Sequence, residues 1–109
     1  PTGFMDTSGL TGAPAVYMFN SACYGMSGVT NAYTFTISSN VTFTSANVGT
    51  SATAGTLASA WRGMTNWPGT VMWGTNVLVE AIPIPTTDNN AFQNCNLMPN
   101  WATINANWK

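Results

Sequence analysis

The chain has 109 residues, of which 45% are hydrophobic and only 5% are charged, and its formal net charge is −1. This length fits one domain with a core of its own. Disordered chains combine low hydrophobicity with high net charge, and this chain has neither, so we expect it to fold. Its polar surface must be built from neutral residues, and near-neutral surfaces associate readily.

The charge inventory excludes several classes of function. Two basic residues cannot neutralise a row of phosphates or bind an anionic membrane, so we expect no nucleic-acid partner. Because the chain has no histidine, Ser-His and Cys-His catalytic pairs cannot form. We therefore expect no enzymatic activity, no catalytic residue, no cofactor and no metal site. No apolar run is long enough to span a membrane.

The N-terminal region carries apolar residues without helical periodicity. Residues 1–12 contain three glycines, which predicts an extended N-terminal arm, and residues 13–109 would form a single β-domain. In residues 13–20 both alternating sets of positions are apolar, which predicts a strand buried on both faces. The residues expected to contact other subunits are Phe4, Leu10, Val16, Tyr17, Met18 and Phe19.

The clearest alternation of apolar and polar residues runs through positions 33–44. Tyr33, Phe35 and Ile37 alternate with threonine and serine, and the pattern resumes with Val41 and Phe43. It predicts a hairpin with a three-residue loop between the two halves, or alternatively one long strand with the same faces. In both cases a ladder of threonines would face solvent.

The densest apolar run lies within residues 69–85 and is expected to organise the sheet. Positions 77–82 are rich in β-branched residues and are followed by two prolines, which predicts a central strand. Residues 57–64 are compatible with one or two helical turns, and residues 101–109 fit a helix or a strand. We find no internal repeat. Short strands separated by Gly, Pro and Asn turns predict an all-β domain, an antiparallel β-sandwich or a jelly-roll-like fold.

Three further sets of residues are candidate sites. Cys23 and Cys95 lie in no metal or redox motif, and we predict a disulfide between them; two buried free thiols are the alternative. Asn40 begins the only Asn-X-Thr sequon and is a predicted glycosylation site. Trp67 and Trp73 flank a Pro-Gly turn and could stack on sugar rings; the alternative is that they are core or subunit-contact residues.

Three features together indicate self-assembly. They are an apolar arm, a strand that is apolar on both faces and a nearly uncharged surface. Sheet edges are normally protected by charged residues, which are almost absent here. We predict a non-enzymatic structural subunit of an extracellular or cell-surface polymer, such as a pilus-like filament, whose partners are copies of itself. Assembly would use β-interfaces and strand exchange by the N-terminal segment. The alternatives are a virion coat or decoration protein, and a secreted carbohydrate-binding module that uses exposed tryptophans.

Overall fold

The computed structural model of the chain describes residues 6–7, 9–14, 18–48 and 55–109. Within these ranges four short strands form one mixed sheet in the order β1-β2-β3-β4. The first two pairings are parallel and the last is antiparallel. The strands are β1 (Asp6–Thr7), β2 (Phe35–Ile37), β3 (Val71–Trp73) and β4 (Asn76–Val77), the helices are α1 (Ser45–Val48) and α2 (Leu78–Ala81), and two 3-10 helices cover Trp101–Thr103 and Ala106–Trp108.

The local sequence explains where the first helix begins and how the chain turns between β3 and β4. The first helix follows Thr44, whose hydroxyl accepts the N–H of Asn47 while the Thr44 N–H donates to the Asn47 side chain. This reciprocal cap satisfies N–H groups that a helix start leaves without partners. The turn between β3 and β4 contains Gly74 with φ +61, a backbone conformation that glycine adopts at little cost.

Three segments built of successive turns lie side by side in parallel. We call residues 18–25, 55–63 and 89–95 the first, second and third turn segments. The N–H of Cys23 donates to the carbonyl of Ala60 at 2.7 Å, and the N–H of Trp61 donates to the carbonyl of Ala91 at 2.9 Å. The second segment therefore lies between the first and the third. Five more N–H groups donate to carbonyls of the next segment in the same register: Phe19 to Thr56, Ser21 to Ala58, Gly25 to Arg62, Ser59 to Asn89 and Gly63 to Gln93.

The three segments also share one local conformation. Each segment has two residues with positive φ, four positions apart. The residue three positions after the first of them donates its N–H to the carbonyl of that first residue. Positive φ favours Gly and is tolerated by Asn. Gly holds one of the two positive-φ positions in the first and second segments, and Asn holds both in the third. The positive-φ pairs are Ser21 and Gly25, Ser59 and Gly63, and Asn90 and Asn94. The local bonds are Tyr24 to Ser21, Arg62 to Ser59 and Gln93 to Asn90.

A short sequence motif accompanies this shared conformation. It reads Ser-Ala-Cys-Tyr-Gly at 21–25, Ser-Ala-Trp-Arg-Gly at 59–63 and Asn-Ala-Phe-Gln-Asn at 90–94. Our inference that the sequence has no internal repeat is therefore wrong. The copies of this repeat are short and unequally spaced, and only alanine is identical in all three.

The strands and the turn segments alternate along the chain and enclose one core. Residues from both sides are fully buried in it, among them Phe35 from β2, Trp61 from the second segment and Phe92 from the third. The Trp61 ring stacks on Phe92 with centroids 4.9 Å apart and meets Phe35 edge-on at 5.2 Å. Aromatic pairs of this geometry stabilise a core beyond their buried area.

The predicted antiparallel β-sandwich or jelly-roll-like fold is wrong. The sheet is mixed, no second sheet faces it among the described residues, and successive turns provide the other side of the core. The predicted central strand at 77–82 is also wrong. Only Asn76–Val77 forms a strand there, and the N–H of Ile82 closes a helical turn onto the carbonyl of Leu78 at 3.1 Å. A short apolar run does not distinguish a strand from a buried helical turn, so the pattern was ambiguous.

The alternation at 33–44 predicted burial correctly at four apolar positions but not at Tyr33, which is exposed, and it predicted pairing incorrectly. The residues Phe35, Ile37, Val41 and Phe43 are all buried, as expected. The strand β2 pairs in parallel with β1 and β3, however, and Val41 bridges to Gly12 instead of pairing with Ile37. Alternation defines which face is buried, and it carries no information about the partner strand.

Described parts of the predicted N-terminal arm belong to the sheet of their own chain. The strand β1 pairs with residues 36–37 of β2. The N–H of Gly12 donates to the carbonyl of Asn40 at 2.9 Å, and the N–H of Thr42 donates to the carbonyl of Gly12 at 2.8 Å. The rest of the arm, residues 1–5 and 8, lies outside the described residues.

Candidate functional site

We call the three hydrogen-bonded turn segments the turn stack. It has two outer edges, and the edge of the third segment is covered. The N–H of Phe92 donates to the carbonyl of Trp108 at 2.8 Å, and the N–H of Asn89 donates to the carbonyl of Asn107 at 2.9 Å. Trp108 is fully buried, with its ring centroid 5.9 Å from that of Phe92. We call residues 105–109 the C-terminal cap, because they close this edge.

Side-chain hydrogen bonds hold the C-terminal cap in place. The Asn107 side chain donates to the carbonyl of Pro85 at 2.8 Å, and the Asn105 side chain accepts the N–H of Asn107 at 2.9 Å. The Lys109 ammonium donates to the carbonyls of Trp101 and Ala102 and lies 4.7 Å from the centroid of the Trp101 ring. A cation above an indole ring is attracted by the negative face of the ring.

No described residue covers the edge of the first segment, which we call the open edge. In the second segment the carbonyls of Ala60 and Arg62 accept N–H groups from the first. The equivalent carbonyls of the first segment, those of Ala22 and Tyr24, receive no hydrogen bond from the part of the chain that the structure describes. The N–H groups of both residues are used in local turns. This edge therefore presents backbone acceptors to a partner that supplies donors.

The alanine at the second position of the motif differs in burial between the segments, because the open edge lacks the cover that the other two segments have. Ala60 and Ala91 are fully buried, and each accepts an N–H from the preceding segment. Ala22 holds the same position but is exposed. A small residue suits close stacking, because extra methyl groups in a packed interior force neighbours apart. At Ala22 this small residue remains although no described residue stacks on it.

Apolar side chains surround the open edge and charge is nearly absent from it. Met18, Tyr24 and Met26 are 45%, 51% and 42% exposed, and they are three of the six exposed large hydrophobic residues in the described parts of the chain. Arg62, whose guanidinium lies 5.3 Å from the centroid of the Tyr24 ring, is the only charged residue in the three turn segments. The edge therefore has little of the charge that normally prevents association.

The predicted subunit-contact residues lie in different environments. Phe19 is buried in the core, where a partner cannot contact it, and Leu10 is half-buried against the core. Met18 is exposed beside the open edge. The remaining three, Phe4, Val16 and Tyr17, lie outside the described residues.

The two cysteines are buried free thiols, and the predicted disulfide is not formed in the structure. Cys23 occupies the motif position that Trp61 and Phe92 hold in the other segments, where the side chain joins the core. The Cys95 thiol donates to the carbonyl of Trp61 at 2.9 Å. Burial raises the pKa of Cys95 to about 11 and also raises the pKa of Cys23. Both thiols are therefore neutral and poorly nucleophilic near neutral pH.

The tryptophans proposed to stack on sugars are engaged within the protein. Trp67 is fully buried and its indole N–H donates to the carbonyl of Tyr33 at 2.8 Å, so its ring has no exposed face. Trp73 is half-buried and donates to the carbonyl of Val41 at 2.9 Å. Asn40 is exposed in the turn after β2, and its glycosylation stays a prediction.

The described residues contain no group of three or more His, Cys, Asp or Glu side chains that could hold a metal ion. In the same ranges, no helix has the length and apolar character needed to cross a membrane. No protein-family model, curated protein or solved structure matches the chain.

Proposed function

We propose that this chain is a non-enzymatic structural subunit of an extracellular polymer, a pilus-like or other surface filament made of its own copies. The observation that carries the proposal is the open edge of the first turn segment. It combines backbone acceptors at Ala22 and Tyr24 with exposed apolar side chains and a small stacking residue. Unprotected edges of this kind act as templates for pairing with another chain.

The composition supports assembly and an extracellular setting. With a net charge of −1 and 5% charged residues, two copies repel each other weakly. The exposed sequon at Asn40 and a surface rich in Thr, Ser and Asn are compatible with a location outside the cell. A virion coat or decoration protein would use the same self-association. A carbohydrate-binding module is less well supported, because Trp67 is buried.

The test compares the native protein with a variant of the open edge. Ala22→Lys places a charge and a long side chain where a partner would stack, and Ala46→Lys makes the same change at an exposed position of α1. We expect negative-stain electron microscopy and sedimentation velocity to show filaments or large oligomers for the native protein and for Ala46→Lys. We expect Ala22→Lys to stay folded and to assemble several-fold less.

A native protein that remains a monomer of 11.5 kDa over a wide range of concentrations would overturn the proposal. Assembly of Ala22→Lys at the native level would show that the open edge is not the contact. Thermal unfolding of the three proteins checks that lost assembly is not lost folding, because substitution of an exposed residue usually changes stability little.

A further inference from the structure

We infer that the polymer contact continues the turn stack from one copy to the next. The first turn segment of one copy would lie against the third turn segment of another, in the place that the C-terminal cap holds within a single chain. This inference rests on the proposed function and adds to it the partner surface, the hydrogen-bond register and the segment that must move.

The open edge selects a partner by the direction of its hydrogen bonds. The N–H groups of residues 19 and 21–25 donate into the stack or to local turns, so this part of the edge offers acceptors only. Two first segments placed edge to edge would therefore oppose acceptor to acceptor. The occupant must present N–H donors at every second residue, as the first segment does toward the second.

The third segment holds donors at the required spacing. Its residues Asn90, Phe92 and Asn94 are equivalent to Ser59, Trp61 and Gly63 of the second segment, which all donate to the next segment. The internal offset then predicts the bonds between copies. The N–H of Phe92 would donate to the carbonyl of Ala22, and that of Asn94 to the carbonyl of Tyr24.

The C-terminal cap uses the third segment incompletely. It accepts from Asn89 and Phe92, while the N–H groups of Asn90 and Asn94 have no acceptor among the described residues. Three buried side-chain atoms in this segment or the cap also lack a hydrogen-bond partner: Asn89 Nδ2, Gln93 Oε1 and Trp108 Nε1. Buried polar groups without partners destabilise the contact that buries them. A turn segment in this place would give the N–H of Asn94 an acceptor that the cap does not supply.

This contact has the symmetry of a filament. It joins two different surfaces, so every added copy presents a new open edge of the same kind. Head-to-tail contacts that do not close into a ring produce open filaments. The first copy would end in an open first segment and the last in a C-terminal cap, as the terminal units of repeat proteins carry caps.

The decisive experiment mixes two variants that each carry one added cysteine, Tyr24→Cys and Asn94→Cys, with a short bismaleimide cross-linker. Both sites are exposed, and the native thiols are buried and therefore react slowly. We expect several-fold more cross-linked dimer in the mixture than in either variant alone. A mixture of Tyr24→Cys with Thr87→Cys, another exposed site, is the matched control and should give only the background yield.

Equal yields in all mixtures would overturn the stacked contact. If filaments form under the microscope but the mixed pair shows no preference, the inference fails and the proposed function stands. If no polymer forms at all, both fail.

A second variant tests the role of the C-terminal cap without removing its buried tryptophan. Asn107→Ala deletes the hydrogen bond to Pro85, and Asn96→Ala removes an exposed asparagine elsewhere. We expect Asn107→Ala to assemble several-fold faster than the native protein, as measured by light scattering, and Asn96→Ala to match it. An unchanged or slower rate for Asn107→Ala would contradict displacement of the cap.

Discussion

Ala60 and Ala22 hold the same position in adjacent turn segments, but Ala60 is fully buried and Ala22 is exposed. The difference follows from the stack, because the first segment donates to the carbonyl of Ala60 and no described residue donates to that of Ala22. The exposed alanine therefore marks the edge at which the stack stops within one chain. Its environment is what the proposed assembly would change.

Adding two methyl groups at these equivalent positions should affect stability very differently. Ala60→Val overfills a packed interior and should lower the free energy of unfolding by about 1–3 kcal/mol. Ala22→Val changes an exposed position and should alter it by less than about 0.5 kcal/mol. Urea denaturation at low protein concentration, where assembly is absent, measures both. Equal losses would show that the two alanines are not in the environments described.

The turn segments should be sensitive to glycine replacement where φ is positive. Gly63 has φ +81, and a Cβ there would lie 3.4 Å from the Cα of Gly25. Gly63→Ala should destabilise the protein by roughly 1–2 kcal/mol, because an L side chain is strained in this conformation. Gly28→Ala is the matched control, since no atom lies within 4 Å of its Cβ position. A stable Gly63→Ala variant would contradict the left-handed turn.

Stability should fall at alkaline pH because of the buried Cys95 thiol. Its pKa is raised by burial to about 11 in the folded state, from 9.0 when unperturbed. The folded state therefore binds more protons between these values, so the contribution of this thiol to stability is constant below about pH 9 and decreases toward pH 11. The loss is on the order of 2 kcal/mol. The Cys95→Ala variant should show a smaller decrease over this range, and an identical decrease would contradict the assignment.

The cysteines should react as two protected thiols. In protein purified without reductant, both should react with a thiol reagent after denaturation, and both should react slowly in the native state, because Cys23 and Cys95 are free and buried. Mass spectrometry of the alkylated chain counts the modified residues. A denatured chain that takes up no reagent would show that a disulfide joins them.

The sequence predicted burial better than it predicted pairing. Alternation at Phe35, Ile37, Val41 and Phe43 identified the buried face correctly, because side-chain direction in extended chain is a local property. Whether a strand pairs in parallel depends on segments far away in the chain. The helical turn at Leu78 likewise depends on packing, since its apolar residues suit a strand as well.

Part of the candidate site can be predicted from the sequence. Comparing residues 21–25 with 59–63 shows serine, alanine and glycine at the same positions. The third copy, at 90–94, is less visible because asparagine replaces both serine and glycine, although asparagine also tolerates positive φ. The open edge could not be predicted from the motif. It depends on which copy the C-terminal residues cover, and that is a property of the folded chain.

The register of the turn stack underlies both proposals, and it can be observed directly in solution. Scalar couplings across hydrogen bonds, measured by NMR on isotope-labelled protein, link each amide nitrogen to the carbonyl carbon that accepts its proton. We predict couplings from Cys23 to Ala60 and from Trp61 to Ala91. Couplings to other carbonyls, or fast exchange of these two amides with solvent, would contradict the stack and the assembly contact derived from it.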